Sequence, residues 1–224
     1  MESKFPGYRR IDMETWPRRE HYRYYRGTLK CGYSLTARLD VTEAVAFART
    51  HGRRFYGCFL YAAARTVNEM EEMKLMTAPD GVLGIWDTVH LNFTVFHEDD
   101  KTFSDLWTEY HPEFEVFYRE FQRVVDTYGD VHGVKGRPGQ PPNFFCASCV
   151  PWLDYTGFAT SSVGEPALFP IVTFGKYTEA EGTYTLPVTV TISHAAADGY
   201  HTSLFFHKLQ ENLREFGGGG PAPV

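Results

Sequence analysis

Apolar residues recur along the chain with two different periods, and these periods divide it into helices and strands. Intervals of three and four residues are typical of helices, and the capping residue Asp40 and the terminating Gly52 frame the first of them. The alanine-rich second segment is apolar on nearly every side, which predicts a helix buried against a sheet. Helices are predicted at 40–52, 58–68, 113–128 and 199–216.

Alternation of apolar and polar residues predicts strands at 82–86, 91–96, 143–150, 168–174 and 184–192. The first two are separated by a short polar link, so we expect them to pair. Strands and helices do not alternate strictly, which favours an α+β domain with a mixed sheet over a doubly wound parallel fold. A single domain is predicted over 1–216, and the glycine-rich and proline-containing segment 217–224 is predicted to be a flexible tail.

Composition excludes several classes of protein. The 224 residues are 43% hydrophobic, which is enough for a sizeable core. With 28 acidic against 22 basic residues, a broad nucleic-acid-binding surface is not expected. The first 25 residues lack the apolar run of a signal peptide, and no stretch has the roughly 20 apolar residues of a membrane span, so we expect a cytoplasmic protein without a membrane partner.

A histidine follows the last predicted strand where a buried apolar side chain is due. His194 continues the alternation that ends at Ile192, and the three alanines after it leave space around the ring. This placement suits a general base in a closed pocket. The pattern alone also fits a core histidine with Asp198 as a plain helix cap. A metal site formed by His194, Asp198, His201 and His207 is disfavoured, because strand and helix spacing fix no common face.

The four cysteines are too few and too irregular in spacing for a disulfide framework. Cys146 and Cys149 have the spacing of a redox pair or of half a zinc site. On a strand, however, they point to opposite faces, which favours packing roles. The chain contains no nucleophile elbow, P-loop or dinucleotide fingerprint.

The segment His194-Ala-Ala-Ala-Asp198-Gly199 resembles the His-x-x-x-Asp-Gly signature of classical (type A) chloramphenicol acetyltransferases. The acyltransferase cores of 2-oxoacid dehydrogenase complexes share it more distantly. The resemblance extends over the whole chain, through WPRREH (16–21), CGYSL (31–35), IWDTV (85–89), FTVFH (93–97), TFS (102–104), PWLDYTGF (151–158) and FPIVTFGKY (169–177).

The resemblance implies a two-layer sandwich, with a large mixed sheet and helices on one face. It also implies a homotrimer whose active sites lie at subunit interfaces. The implied reaction transfers an acetyl group from acetyl-CoA, with no metal, to the primary hydroxyl of chloramphenicol. A thioester is already activated, so the reaction needs only a base and a donor for the developing oxyanion.

The resemblance also assigns roles to residues. His194 is the implied base, Ser148 the oxyanion donor, and Thr173 an assistant that acts through water. Asp198 and Arg18 form an organising ion pair. The antibiotic pocket is implied to include Tyr25, Cys31, Tyr33, Phe103 and Phe158, and the CoA tunnel to lie near Lys176 and Tyr177. The chain departs from the family pattern at Cys146, Ser193, Ala197 and Tyr200 and in the loop 129–142.

Two other functions fit the same residues. One is acyl transfer from acetyl-CoA to a different hydroxylated acceptor, because the departures affect the acceptor more than the reaction type. The other is sequestration of a hydrophobic ligand without chemistry.

Overall fold

A computed structural model describes residues 5–160 and 164–218. The helices are α1 (Arg19–Arg23), α2 (Thr42–Thr50), α3 (Phe55–Asn68), α4 (Phe114–Tyr128) and α5 (Gly199–Arg214), with a π-helical turn at Tyr24–Thr28 and 3₁₀ turns at Glu72–Lys74 and Glu215–Gly217. The strands are β1 (Tyr8–Arg10), β2 (Gly32–Asp40), β3 (Leu75–Thr77), β4 (Leu83–Trp86), β5 (His90–Phe96), β6 (Phe103–Thr108), β7 (Phe144–Cys149), β8 (Ile171–Phe174), β9 (Thr178–Ala180) and β10 (Thr183–Ser193).

A seven-stranded sheet organises the fold, with the order β2-β10-β8-β7-β5-β6 and β9 paired to β10. The pairs β5/β7 and β7/β8 are parallel, whereas β10 runs antiparallel to each of its neighbours. The mixed sheet predicted from the sequence is therefore confirmed.

The predicted pairing of the strands at 82–86 and 91–96 is wrong. β4 pairs with β1 and β3 in a separate three-stranded sheet, while β5 enters the large sheet. Gly84 explains the difference: a Cβ there would lie 2.5 Å from both the Arg9 carbonyl oxygen and the Tyr8 ring. The missing side chain lets β1 approach β4 closely, and this partner is distant in sequence.

The core lies between one face of the large sheet and helices α2 to α5. On β10 the residues Leu186, Val188 and Val190 are fully buried in this core, as the alternation predicts. Helix α3 buries its alanines completely, which confirms its predicted central position. The opposite face of the sheet presents hydroxyls instead, because the intervening residues of β2 and β10 are mostly serine and threonine.

The chain ends differently from the prediction. Helix α5 stops at Arg214, two residues before the expected end, and a 3₁₀ turn continues to Gly217. Of the predicted tail, residues 219–224 lie outside the described residues. No helix in the described ranges is both long enough and apolar enough to cross a bilayer.

Replacing Gly57 tests how tightly α3 and α4 pack. A Cβ at Gly57 would lie 2.8 Å from the rings of Tyr118 and Phe121. Overpacking costs about 1–3 kcal/mol, more than the roughly 1 kcal/mol that alanine adds in helix propensity. We expect Gly57→Ala to lower the free energy of unfolding in urea.

The matched control is Gly157→Ala, because a Cβ at Gly157 meets nothing within 4 Å. We expect this loop variant to stay within about 0.5 kcal/mol of the wild type. A Gly57→Ala protein as stable as the control would contradict the packing described here.

Candidate active site

His194 occupies the first position of the turn that joins β10 to α5. The prediction that it continues the buried face of β10 is wrong: the strand ends at Ser193, and His194 is half-buried. The residues buried after β10 are instead the three alanines of the turn, Ala195–Ala197, which are fully enclosed. The Nδ1 atom of His194 is buried and has no hydrogen-bond partner among the described residues. Nε2 is therefore the ring nitrogen available to a substrate.

A segment near the N-terminus fixes the His194 ring. The Tyr25 ring stacks on the imidazole with centroids 3.8 Å apart and planes within 5° of parallel. The Tyr33 ring lies 5.3 Å away at a steep angle, and burial raises the pKa of its phenol. The Cys31 carbonyl oxygen accepts the backbone N–H of His194 at 3.0 Å. The structure thus brings three of the predicted pocket residues to His194.

Asp198 ties this segment to the turn. Its carboxylate accepts a hydrogen bond from Arg18 at 2.8 Å, and the same side chain caps α5. The His201 Nδ1 lies 2.7 Å from the other carboxylate oxygen. Burial alone would raise the pKa of Asp198, but the hydrogen bonds from Arg18 and His201 outweigh it, and the pKa lies well below its ordinary value. Asp198 therefore holds a full negative charge at neutral pH.

Ser148 and Thr173 form a second group, on the hydroxyl-bearing face of the sheet. They are register partners on the parallel strands β7 and β8, with Cα atoms about 5 Å apart. The row continues to Thr189 on β10 and to Thr36 on β2. The strand register thus explains why these two residues, distant in sequence, lie side by side.

Within one chain, the two groups do not meet. Thr189 on β10 lies in the same row as Ser148 and precedes His194 by five residues. At the rise of an extended strand, the Cα atoms of Thr189 and His194 therefore lie about 16 Å apart. β7 lies two strands from β10, which adds about 10 Å across the sheet. The Cα atoms of His194 and Ser148 are therefore roughly 20 Å apart.

The remaining predicted pocket residues lie with Ser148 rather than with His194. Phe103 begins β6, pairs with Phe96, and is 53% exposed. Phe158 packs 5.9 Å from the Tyr155 ring, and the Tyr155 hydroxyl donates to the Thr173 carbonyl oxygen at 2.8 Å. The predicted pocket is thus divided into two parts.

A cleft of about 590 Å³ opens at the end of the sheet and is lined on β7 by Cys149, the residue after Ser148. Lys176 and Tyr177, the two residues that the resemblance places near a CoA tunnel, line this cleft. Sequence reasoning missed other lining residues, including Arg54, Phe55, Tyr56 and Trp152. They come from a helix start and a loop, so no periodicity marks them. The lining is mainly apolar and carries two cationic side chains, those of Arg54 and Lys176.

The cysteines are thiols. Cys146 and Cys149 lie on β7 and are unpaired, and burial raises the pKa of each to about 12. A protonated thiol is a poor nucleophile and metal ligand, so a redox or zinc role is disfavoured. Across the described ranges, the one group of three close potential metal ligands is Asp99, Asp100 and His132, which is exposed and does not include His194.

Comparison with known proteins decides the family. The family model "Chloramphenicol acetyltransferase" matches residues 7–210. The chain belongs to the chloramphenicol acetyltransferase family. It is therefore an acyltransferase, as the resemblance implied. A chloramphenicol acetyltransferase of Streptomyces acrimycini is 37% identical over 96% of this chain and 98% of its own length. One of Clostridium perfringens is 35% identical over 90% of this chain and 92% of its own length.

Solved structures agree with this assignment. A chloramphenicol acetyltransferase superposes with a TM-score of 0.80 at 25% identity, covering 92% of this chain and 99% of its own. The dihydrolipoamide acetyltransferase of Azotobacter vinelandii superposes with a TM-score of 0.60 at 18% identity, covering 83% of each chain, and shares the fold alone.

Asp198→Asn tests the ion pair with Arg18. Asparagine can still cap α5 but leaves the largely buried guanidinium without a charged partner. We expect the free energy of unfolding at pH 7 to fall by about 1–3 kcal/mol. The folded pKa lies below the ordinary 3.8, so the stabilisation is complete above that value and is lost as the pH falls through the folded pKa. Urea unfolding at pH 7 and at pH 3 measures both effects.

Glu71→Gln is the control, because Glu71 pairs with Arg9 at the surface and both side chains are more than half exposed. We expect a change below about 0.5 kcal/mol. An Asp198→Asn effect equal to the control, or one that grows towards acid pH, would contradict the assigned role.

Proposed function

We propose that this enzyme transfers the acetyl group of acetyl-CoA to the primary (3-) hydroxyl of chloramphenicol, which inactivates the antibiotic. The observation that carries the proposal is the pair of half-sites on one sheet: a stacked, oriented imidazole at one end and two adjacent hydroxyls beside a cleft at the other. Membership of the family supplies the reaction type. The half-sites contain the groups that such a transfer requires.

The chemistry needs no covalent enzyme intermediate. Nε2 of His194 accepts the proton of the acceptor hydroxyl while the oxygen attacks the thioester carbon. The Ser148 hydroxyl donates to the oxyanion of the tetrahedral intermediate, and Thr173 assists from the next strand through water. When the intermediate collapses, the C–S bond breaks, and the imidazolium returns its proton to the CoA sulfur. The products are the acetyl ester and free CoA.

Two copies of the chain complete each site in this proposal. A separation of roughly 20 Å within one chain is too long for a hydroxyl to contact His194 and Ser148 together. A neighbouring subunit that supplies the second half-site removes this difficulty. We therefore propose that His194 of one subunit faces Ser148 of the next, in the homotrimer that the family resemblance implies. The cytoplasmic location stays a prediction.

The cleft lined by Cys149 fits the donor. Its apolar walls suit the pantetheine arm, and Arg54 and Lys176 suit the phosphates of CoA. The Trp152 ring packs edge-on against Phe96 at 4.8 Å and forms part of the wall. Acetyl-CoA is the cosubstrate in this proposal, and the thioester would reach Ser148 from the cleft.

One observation favours a second candidate, the same transfer to a more polar hydroxylated acceptor. Asp105 lies on β6 two positions after Phe103, and its carboxylate accepts from Lys135 at 2.8 Å. Asn92 on β5 is the register partner of Cys146 on β7, and its side-chain amide donates to the side-chain oxygen of Gln140 at 2.9 Å. This side of the sheet therefore carries charge and amide groups beside the aromatic Phe103.

A spectroscopic thiol-release assay tests the proposal. We expect free CoA to appear rapidly only when chloramphenicol, acetyl-CoA and enzyme are together. His194→Ala should lower turnover by about 10²–10⁴-fold, because it removes the base, and Ser148→Ala by about 10²–10³-fold, because it removes the oxyanion donor. His207→Ala, which alters an exposed histidine of α5, is the control and should retain turnover.

Other outcomes separate the alternatives. Faster thiol release with another hydroxylated antibiotic than with chloramphenicol would favour the second candidate. Calorimetric binding of chloramphenicol with no thiol release from acetyl-CoA would refute catalysis and favour sequestration of the ligand.

A further inference from the structure

We infer that His201 is a positioning residue for the base His194, acting through Asp198. This inference rests on the proposed function only where it concerns turnover. His201 lies in the first turn of α5, with its side chain 14% exposed. It contacts no part of the cleft and is not among the residues assigned from the sequence signature.

The charged groups around the His201 imidazole come from three parts of the chain. Nδ1 lies 2.7 Å from an Asp198 carboxylate oxygen at the start of α5. Nε2 lies 3.5 Å from a Glu72 carboxylate oxygen in the 3₁₀ turn that follows α3. The Tyr200 ring meets the imidazole edge-on at 5.4 Å. Arg18 approaches from the N-terminal segment and pairs with the other oxygen of Asp198.

The short contact fixes the position of one proton. An ionised carboxylate only accepts hydrogen bonds, so Nδ1 carries the proton and donates it to Asp198. One carboxylate oxygen of Asp198 therefore accepts from Arg18, and the other accepts from His201. The imidazole thus lies between α5 and the 3₁₀ turn that carries Glu72.

A helix-capping role alone does not explain this arrangement. The Asp198 side chain already accepts the backbone N–H groups of Tyr200 and His201 and so caps the helix. The Asp198 backbone N–H also lies 3.4 Å from Nδ1 of His201. Nδ1 cannot both accept this N–H and donate its own proton to the Asp198 carboxylate, and the shorter 2.7 Å contact favours donation. The imidazole thus orients the Asp198 carboxylate.

The path from Asp198 to His194 is short and rigid. Ala195–Ala197 separate the two residues, are fully buried, and form a turn in which the N–H groups of Ala196 and Ala197 donate to the Ser193 carbonyl oxygen. Through Arg18, Asp198 also holds the segment whose Tyr25 ring stacks on His194. A rotation of the Asp198 carboxylate therefore affects both structures that hold the His194 ring, the alanine turn and the segment that carries Tyr25.

Two substitutions of His201 separate its two contacts. An asparagine amide can occupy the position of Nδ1 and donate to Asp198, whereas a glutamine amide reaches the position of Nε2 and leaves Asp198 without this donor. We expect His201→Gln to lower kcat by about 10–100-fold with the KM for acetyl-CoA unchanged, because misplacement of a catalytic group affects the chemical step. His201→Asn should stay within about threefold of wild-type kcat.

A second readout does not depend on turnover. The imidazole resonances of His194 in a heteronuclear NMR spectrum, assigned with the His194→Ala protein, should shift in His201→Gln and stay at their wild-type positions in His201→Asn. If wild-type protein releases no thiol, the proposed function fails, but the NMR comparison still tests the network.

The inference is overturned by equal kcat values and unchanged His194 resonances in both variants, or by equal losses in both. If neither variant folds, as judged by circular dichroism, the ring ¹⁵N resonances of His201 in the wild-type protein replace them. A proton on Nδ1 supports the inference, and an Nδ1 without a proton refutes it, because it could not donate to Asp198.

Discussion

The extended backbone of β10 sets the distance between His194 and the row of hydroxyls that contains Ser148. Its hydrogen bonds to β2 and β8 keep it straight from the row of hydroxyls at Thr189 to the turn at His194. The sheet is a rigid layer with a helix-covered core behind it, so no small loop motion can close a gap of roughly 20 Å. In the proposed mechanism, His194 and Ser148 must therefore come from different chains to act on one substrate.

Each half-site is then built by local means. The half-site around His194 depends on stacking by Tyr25, on the buried alanine turn, and on the carboxylate of Asp198 between Arg18 and His201. The half-site around Ser148 depends on strand register, which needs no charged group. The electrostatic interactions thus lie at the His194 half-site, where a flexible side chain has to be oriented. At the Ser148 half-site, the rigid sheet alone positions the hydroxyls.

Much of the architecture follows from the sequence pattern. The alternation ending at Ile192, the alanines of α3 and the aromatic spacing of α4 predict elements that the structure contains. The strand β2 went unpredicted although Tyr33, Leu35, Ala37 and Leu39 alternate with polar residues, because small and exposed side chains weaken the signal. The partner of β4 could not be found from neighbouring residues, since it depends on the contact of Tyr8 with Gly84.

The site was predictable only in part. The signature contains His194 and Asp198, but no sequence pattern predicts the register that joins Ser148 to Thr173 or the approach of Glu72 to His201. The division of the predicted pocket between His194 and Ser148 likewise depends on how long the strands are and how they pair, which appears only in the folded chain. Residues such as Arg54 and Trp152 reach the cleft from separate elements, so their proximity appears only in the fold.

Complementation between two inactive variants tests the shared site most directly. His194→Ala and Ser148→Ala chains are unfolded, mixed in equal amounts and refolded together. In the proposed homotrimer, some interfaces of the mixed assemblies then combine an intact His194 with an intact Ser148. Random assembly predicts recovery of about a quarter of the wild-type turnover. Mixed trimers, verified by mass, with no more turnover than either parent would contradict a site shared between subunits.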